Sequence, residues 1–282
     1  MEYFQFRLDG PVFQNGVPLY LALDALDNFQ SIVDKTYLVA TGGKKMSARD
    51  RDAYQIRASA FHQGSFITDF QIALYGVQLA LPLMNDLGLM NLWEYTKETF
   101  NFLKLVFATK DSGAKPKIEI SKSQNVTVHV GDIHHHFHGT VIQIAEQSLP
   151  KYQELAHLLD QGKIERICAG TPEKYEMQLE LKDKTLFDVP SNIQEHPIQI
   201  ACEIFDFNKF KNIGKLRIGE DQVVPAGDYN FSIFGTQDNV NYIYSMLKPV
   251  VTIRCLVEMA MVPFGPDKIV HLHVTEVERS ET

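Results

Sequence analysis

The last third of the chain constrains its fold most. From about Ile164 onward, apolar and polar residues alternate in short runs: Tyr175–Leu181, Ile198–Phe205, Lys215–Ile218, Tyr229–Phe234, Val250–Met259 and Ile269–Val277. Several of these runs are separated by turn chemistry such as Pro225-Ala226-Gly227-Asp228 and Phe264-Gly265-Pro266-Asp267. A period of two puts successive side chains on opposite faces, so each run reads as a strand with one face against a core. Regularly spaced strands with little helix between them predict a mostly antiparallel β barrel or sandwich.

The first half reads differently. Tyr3–Leu8 sets Phe4, Phe6 and Leu8 against Gln5 and Arg7, a half-buried strand ended by Asp9-Gly10-Pro11. After Pro18, the residues Leu19, Leu23, Leu26, Phe29, Val33 and Tyr37 recur every three or four positions, an amphipathic helix that Gly42-Gly43 ends. Ala53–Phe61 and Phe66–Gln71, around His62-Gln63-Gly64-Ser65, predict a hairpin. A second, aromatic-rich helix is predicted over Asn91–Lys110, and the polar stretch Lys110–Lys117, with Gly113 and Pro116, reads as a linker. Beyond it come short strands at Lys117–Ile120, Val126–Val130 and Ile133–His138. A helical segment then spans Val141–Gln161 and contains Pro150. The fold class is therefore α+β: an N-terminal antiparallel sheet with packed helices over 1–110, a linker, histidine-rich hairpin and helix over 111–163, and a β domain over 164–282.

Composition sets limits on function. A formal charge of −8 disfavours neutralising a phosphate backbone, and the lysines and arginines around Lys44–Arg57 and Lys110–Lys122 are interspersed with Asp50, Asp52 and Asp111. Cys168, Cys202 and Cys255 are odd in number, lack CxxC spacing and lie in apolar runs, which suits buried, reduced thiols in a cytoplasmic setting. The first residues show no basic stretch followed by an apolar one, so no signal peptide is expected. Ile72–Met84 is apolar apart from Gln78 but interrupted by Gly76 and Pro82. As a helix it would rise about 20 Å, short of the roughly 30 Å of a bilayer core. It reads as a buried helix, and membrane contact would require a conformational change.

The turn Arg7-Leu8-Asp9-Gly10-Pro11, the helix after it, and the hairpin Tyr54-Gln55-Ile56-Arg57-Ala58 with Gly64-Ser65-Phe66 resemble a widespread family of uncharacterised bacterial proteins. The resemblance covers roughly the first 110 residues. It implies an α+β region ahead of a β domain and a mobile-element or phage-defence setting. It brings no catalytic residue with it.

Gly131-Asp132-Ile133-His134-His135-His136-Phe137-His138-Gly139 is the one segment with pronounced candidate chemistry. On a strand, His134, His136 and His138 would share a face at roughly 6.6 Å spacing. Imidazoles in that pattern suit a transition metal such as Zn, Ni or Cu, with Asp132, His129 or another chain completing the shell. The competing reading is a histidine ladder at an oligomer interface. His271-Leu272-His273 repeats the spacing once. Glu180-Leu181-Lys182, with a second carboxylate such as Asp160, evokes a metal-dependent nuclease, but outward-facing charges on a strand explain it as well. Gly42-Gly43-Lys44-Lys45-Met46-Ser47 lacks P-loop spacing and reads as a helix cap followed by a basic loop. No catalytic residue is assigned. The reading is of a non-enzymatic binding, sensor or interaction component, homo-oligomeric and with a protein partner. A metal-dependent hydrolase or nuclease using the histidine strand is the alternative, and a membrane-perturbing effector the third.

Overall fold

The computed structural model describes residues 2–62, 66–74, 92–111, 116–121, 125–171 and 173–278. The chain forms two compact units, Met1–Asp188 and Val189–Thr282. Both combine helices with sheets whose strands pair antiparallel, save for one parallel pair in the second unit.

In the first unit, strands β1 (Glu2–Asp9), β2 (Tyr54–His62), β3 (Phe66–Leu74), β7 (Arg166–Thr171) and β8 (Lys174–Glu180) form one antiparallel sheet in the order β2-β3-β1-β7-β8. The alternation of β1 is realised: Phe4, Phe6 and Leu8 are buried, while Gln5 and Arg7 face a polar side. On that polar side Asp9 accepts from Arg7 (2.6 Å) and from Arg166 of β7 (2.7 Å). The apolar face is covered by helices α1 (Leu19–Thr41) and α3 (Leu92–Asp111), and α4 (Val141–His157) packs against both helices. Phe4 stacks on Trp93 of α3 at 4.7 Å between ring centroids, and Phe6 packs on Phe29 of α1 at 4.7 Å. Each fully buried Phe contributes about 1.5–3 kcal/mol by area alone, with about 0.5–1.5 kcal/mol more for a well-placed ring pair.

Gly42 ends α1 in the left-handed region (φ 69°), and the N–H of Gly43 closes on the Leu38 carbonyl at 2.8 Å. The basic loop after it leads into a short helix that the sequence reading did not foresee, α2 (Ala48–Ala53). Ser47 and Asp50 cap α2 reciprocally, and Arg51 reaches back to the buried Asp34 of α1 with two hydrogen bonds of 2.8 and 2.5 Å.

Strands β4 (Lys117–Ile120), β5 (Val126–Val130) and β6 (Ile133–Phe137) make a separate three-stranded antiparallel sheet within this unit. Val126 and Val128 are buried, and Phe137 meets Phe102 of α3 edge-on at 5.4 Å.

The expected boundaries at 110 and 163 are not where the chain divides into units. Because β7 pairs with β1 along Gln5–Asp9, the stretch from Ile164 to Asp188 belongs to the first unit. Of the linker expected over Lys110–Lys117, Lys110 and Asp111 end α3, Lys117 begins the next strand, and residues 112–115 lie outside the described residues, as do the turn at 63–65 and the apolar segment beyond Leu74. Ile72–Leu74 of that segment belong to β3 rather than to a helix.

The second unit holds β9 (Ser191–Ile193), β10 (Ile198–Asn208), β11 (Ile213–Ile218), β12 (Gly227–Ile233), β13 (Val251–Ala260) and β14 (Lys268–Val277). Five of them close on themselves in the order β10-β11-β12-β14-β13-β10, with β12 and β14 parallel and every other pair antiparallel. A short helix, α5 (Asn239–Ser245), lies between β12 and β13 in the chain. That strand order and helix position make a Greek-key barrel of the OB type. Of the two expected alternatives, it is the barrel that forms.

Ile204, Leu216, Phe231, Ile253, Leu272 and Val274 fill the barrel, joined by Tyr242 from α5, which stacks on Phe207 (5.2 Å) and Phe231 (5.9 Å). A bulge in β10 between Ile204 and Asp206 turns Phe205 outward beneath the Arg217 guanidinium, 5.2 Å from the ring centre. Strand β9 extends the edge of β13 beyond the part that β10 occupies.

Candidate functional site

The histidine strand forms as expected, but its side chains do not converge. His134 and His136 are exposed on one face of β6. Antiparallel pairing sets His134 opposite His129 and His136 opposite Thr127. The Nδ1 atoms of His134 and His129 lie 2.7 Å apart, one ring donating to the other, and His136 Nδ1 pairs with the Thr127 hydroxyl at 3.1 Å. His138 lies one residue past the strand and leaves this face altogether. Its backbone N–H and its Nδ1 both meet Glu98 of α3, at 2.7 and 2.9 Å.

Glu119 of β4 approaches His129 from the opposite ring nitrogen, Nε2, at 3.2 Å. That contact is off the hydrogen-bonding direction, so it is electrostatic only. The donors around His129 therefore face away from one another. Among the described residues, no three His, Cys, Asp or Glu side chains are grouped to hold a metal ion. Local alternation was legible in the sequence, whereas the partners that divide the histidines, Glu98 and His129, sit on other elements.

The carboxylates of the carboxylate–lysine motif each take a lysine partner of their own. Glu180 pairs with Lys182 at 2.9 Å on the surface, and Asp160 pairs with Lys163 at 2.8 Å. The three cysteines are buried and free. Burial raises Cys168 to about 11, Cys202 to about 12 and Cys255 to about 11, so none is a thiolate nucleophile near neutral pH. No helix among the described residues is long and apolar enough to cross a membrane.

Two features of the barrel do gather side chains. The first is a concave pocket of about 570 Å³ at one end. It forms where the start of β10 (Ile198), the β11–β12 connection (Val223, Val224, Pro225), the outer half of β13 (Val257, Met259) and the start of β14 (Ile269) come together, with Tyr229 on its wall. The Tyr229 hydroxyl donates to the Pro225 carbonyl at 2.8 Å, which ties the wall to the connection above it. Gln194, Asp267 and Lys268 supply polar groups to an otherwise apolar lining. The volume falls in the range of small-molecule sites, and an apolar wall with a few polar groups is their usual chemistry.

The second is a hydrogen-bonded series on the outer wall. Strand β14 runs between β12 and β13, so Ser232 stands beside His273, and Glu258 beside His271. Ser232 Oγ lies 2.9 Å from His271 Nε2 and 3.2 Å from His273 Nδ1. His273 Nε2 lies 2.9 Å from Glu258 Oε2. The Glu258 carboxyl is held below its ordinary range first by the Ser191 hydroxyl and then by His273, while burial lowers His271. The sequence showed the His-x-His spacing of β14 but not the partners that long-range strand pairing brings to it.

Comparison with protein families, with curated proteins and with solved structures finds no match to this chain. The functional reading rests on these side chains alone.

Proposed function

We propose that the protein works by binding rather than by catalysis at the histidine strand, and that its ligand is a small amphipathic molecule held at the end of the barrel. The pocket of about 570 Å³ carries this reading. Apolar side chains from three strands and a connecting loop meet there, and transferring a ligand's apolar body onto them contributes roughly 25 cal/mol per Å² removed from water. Gln194, Asp267 and Lys268 can orient a polar head group. A metal-hydrolase reading of His134, His136 and His138 finds no support, because their nitrogens turn to different partners.

Titration of the full chain with 8-anilinonaphthalene-1-sulfonate tests the proposal by fluorescence. One saturable site is expected, weakened at least tenfold by Met259→Trp, which fills the pocket. Unchanged affinity in a folded Met259→Trp variant would place the probe elsewhere and overturn the reading.

A further inference from the structure

We propose that Ser232 is a nucleophilic serine, activated by His273 as general base, with His271 donating to its oxygen and Glu258 as the positioning residue. It would accept an acyl group from a small ester. This site lies on the outer wall of the barrel and is independent of the pocket reading.

The hydrogen-bond network assigns the protons. Glu258, ionised, accepts from Nε2–H of His273, which leaves the lone pair of that ring on Nδ1, facing Ser232. The Ser232 O–H therefore donates to His273 Nδ1, and its oxygen accepts from Nε2–H of His271. A hydroxyl within reach of a base that a carboxylate orients is the arrangement that makes serine reactive, recognised by geometry and roles rather than by order in the chain. The strands hold it in place. Ser232 and His273 are register partners on the parallel pair β12–β14, and the Phe234 ring packs edge-on against His273 at 6.2 Å. The series is also reachable, since the side chains of His273 and Glu258 keep 18% and 22% of their exposure. It is no metal cradle: the two nitrogens of His273 point to different partners.

In the reaction, the Oγ electron pair forms a bond to the carbonyl carbon of the ester while the hydroxyl proton moves to His273 Nδ1. Glu258 stabilises the imidazolium through Nε2–H, and the His271 N–H orients the Ser232 oxygen so that its proton faces His273. The bond from carbon to the leaving oxygen breaks, and that oxygen takes the proton from His273. Water then bonds to the acyl carbon as its proton passes to His273 Nδ1, the bond from carbon to Ser232 Oγ breaks, and Oγ takes that proton back as the acid leaves.

A biotinylated fluorophosphonate tests this on the full chain, because it forms a Ser Oγ–phosphorus bond and expels fluoride along the same proton path. The expected result is one adduct, mapped to Ser232 by peptide mass spectrometry and absent in Ser232→Ala. Its rate should fall at least tenfold in His273→Gln and fall in acid as the accepting nitrogen is protonated. Glu258→Gln keeps a hydrogen-bond acceptor and should shift that pH profile while retaining the fold by circular dichroism. No adduct on Ser232, or labelling that His273→Gln leaves unchanged, would overturn the proposal.

Discussion

Replacing Phe231 with alanine probes the barrel core where it is most tightly shared. The Phe231 side chain is fully buried and packs against both Phe207 (6.1 Å) and Tyr242 (5.9 Å), so one ring links β10, β12 and α5. Truncating a buried Phe costs about 3–5 kcal/mol, the lost transfer energy plus the cavity left behind. A domain of this size holds only about 5–15 kcal/mol in all. At roughly 4–8 °C per kcal/mol, the barrel's transition should drop by at least about 12 °C. The chain offers a built-in control: its one tryptophan, Trp93, lies in the first unit, whose core it shares with Phe4 and Phe29. Thermal melts followed by tryptophan fluorescence should stay nearly unchanged in Phe231→Ala, while amide hydrogen exchange in β12 and β13 accelerates sharply. If the Trp93 transition falls as far as the barrel's, the two cores do not unfold separately and the reasoning fails.

Other substitutions and conditions have defined outcomes. Gly214→Ala would set a Cβ 2.3 Å from the Asp206 carbonyl oxygen and 2.6 Å from the Phe231 ring. Neither the strand backbone nor that packed ring can give way freely, so chemical denaturation should show a loss of about 1–3 kcal/mol or more, and an unchanged midpoint would contradict the packing described. Cysteine alkylation by iodoacetamide at pH 8 should run at least about a hundredfold slower in the native chain than in urea, because burial suppresses the thiolate at Cys168, Cys202 and Cys255. Equal rates in the two conditions would contradict that burial. Acid should weaken the barrel. Burial lowers His271 from its ordinary 6.5, so the folded state disfavours the imidazolium. Its contribution is complete above pH 6.5 and is lost as pH falls from there through the lowered value. Glu258, lowered from 4.5, adds a second loss further into acid. Urea midpoints of the barrel should therefore fall between about pH 7.5 and 5.5 by less in His271→Gln than in the natural sequence, and equal falls would contradict this origin.

What the sequence disclosed follows physical range. Alternation located β10 to β14 within a few residues, because each strand buries one face locally and each turn has its own residue chemistry. The helix from Leu19 was legible from its apolar stripe and its Gly42 stop. Two short helices were missed: α2, with the composition Ala-Arg-Asp-Arg-Asp-Ala, has no apolar face to reveal it, and α5 is only seven residues long. Assigning β7 and β8 to the C-terminal domain failed because nothing in Arg166–Thr171 names β1, more than 150 positions earlier, as its partner. The same limit applies to side-chain chemistry. His134, His136 and His138 looked like one face, but the chain bends away after Phe137 and Glu98 claims His138. His271 and His273 looked incidental until strand pairing set Ser232 on one side of them and Glu258 on the other.

Hydrogen–deuterium exchange on the full chain, with and without saturating 8-anilinonaphthalene-1-sulfonate, tests the binding proposal most directly. Protection is expected in peptides covering Gln194–Ile198, Val223–Tyr229 and Val257–Ile269, the segments that line the pocket. Protection confined to other segments, or none at a probe concentration that saturates fluorescence, would contradict the account.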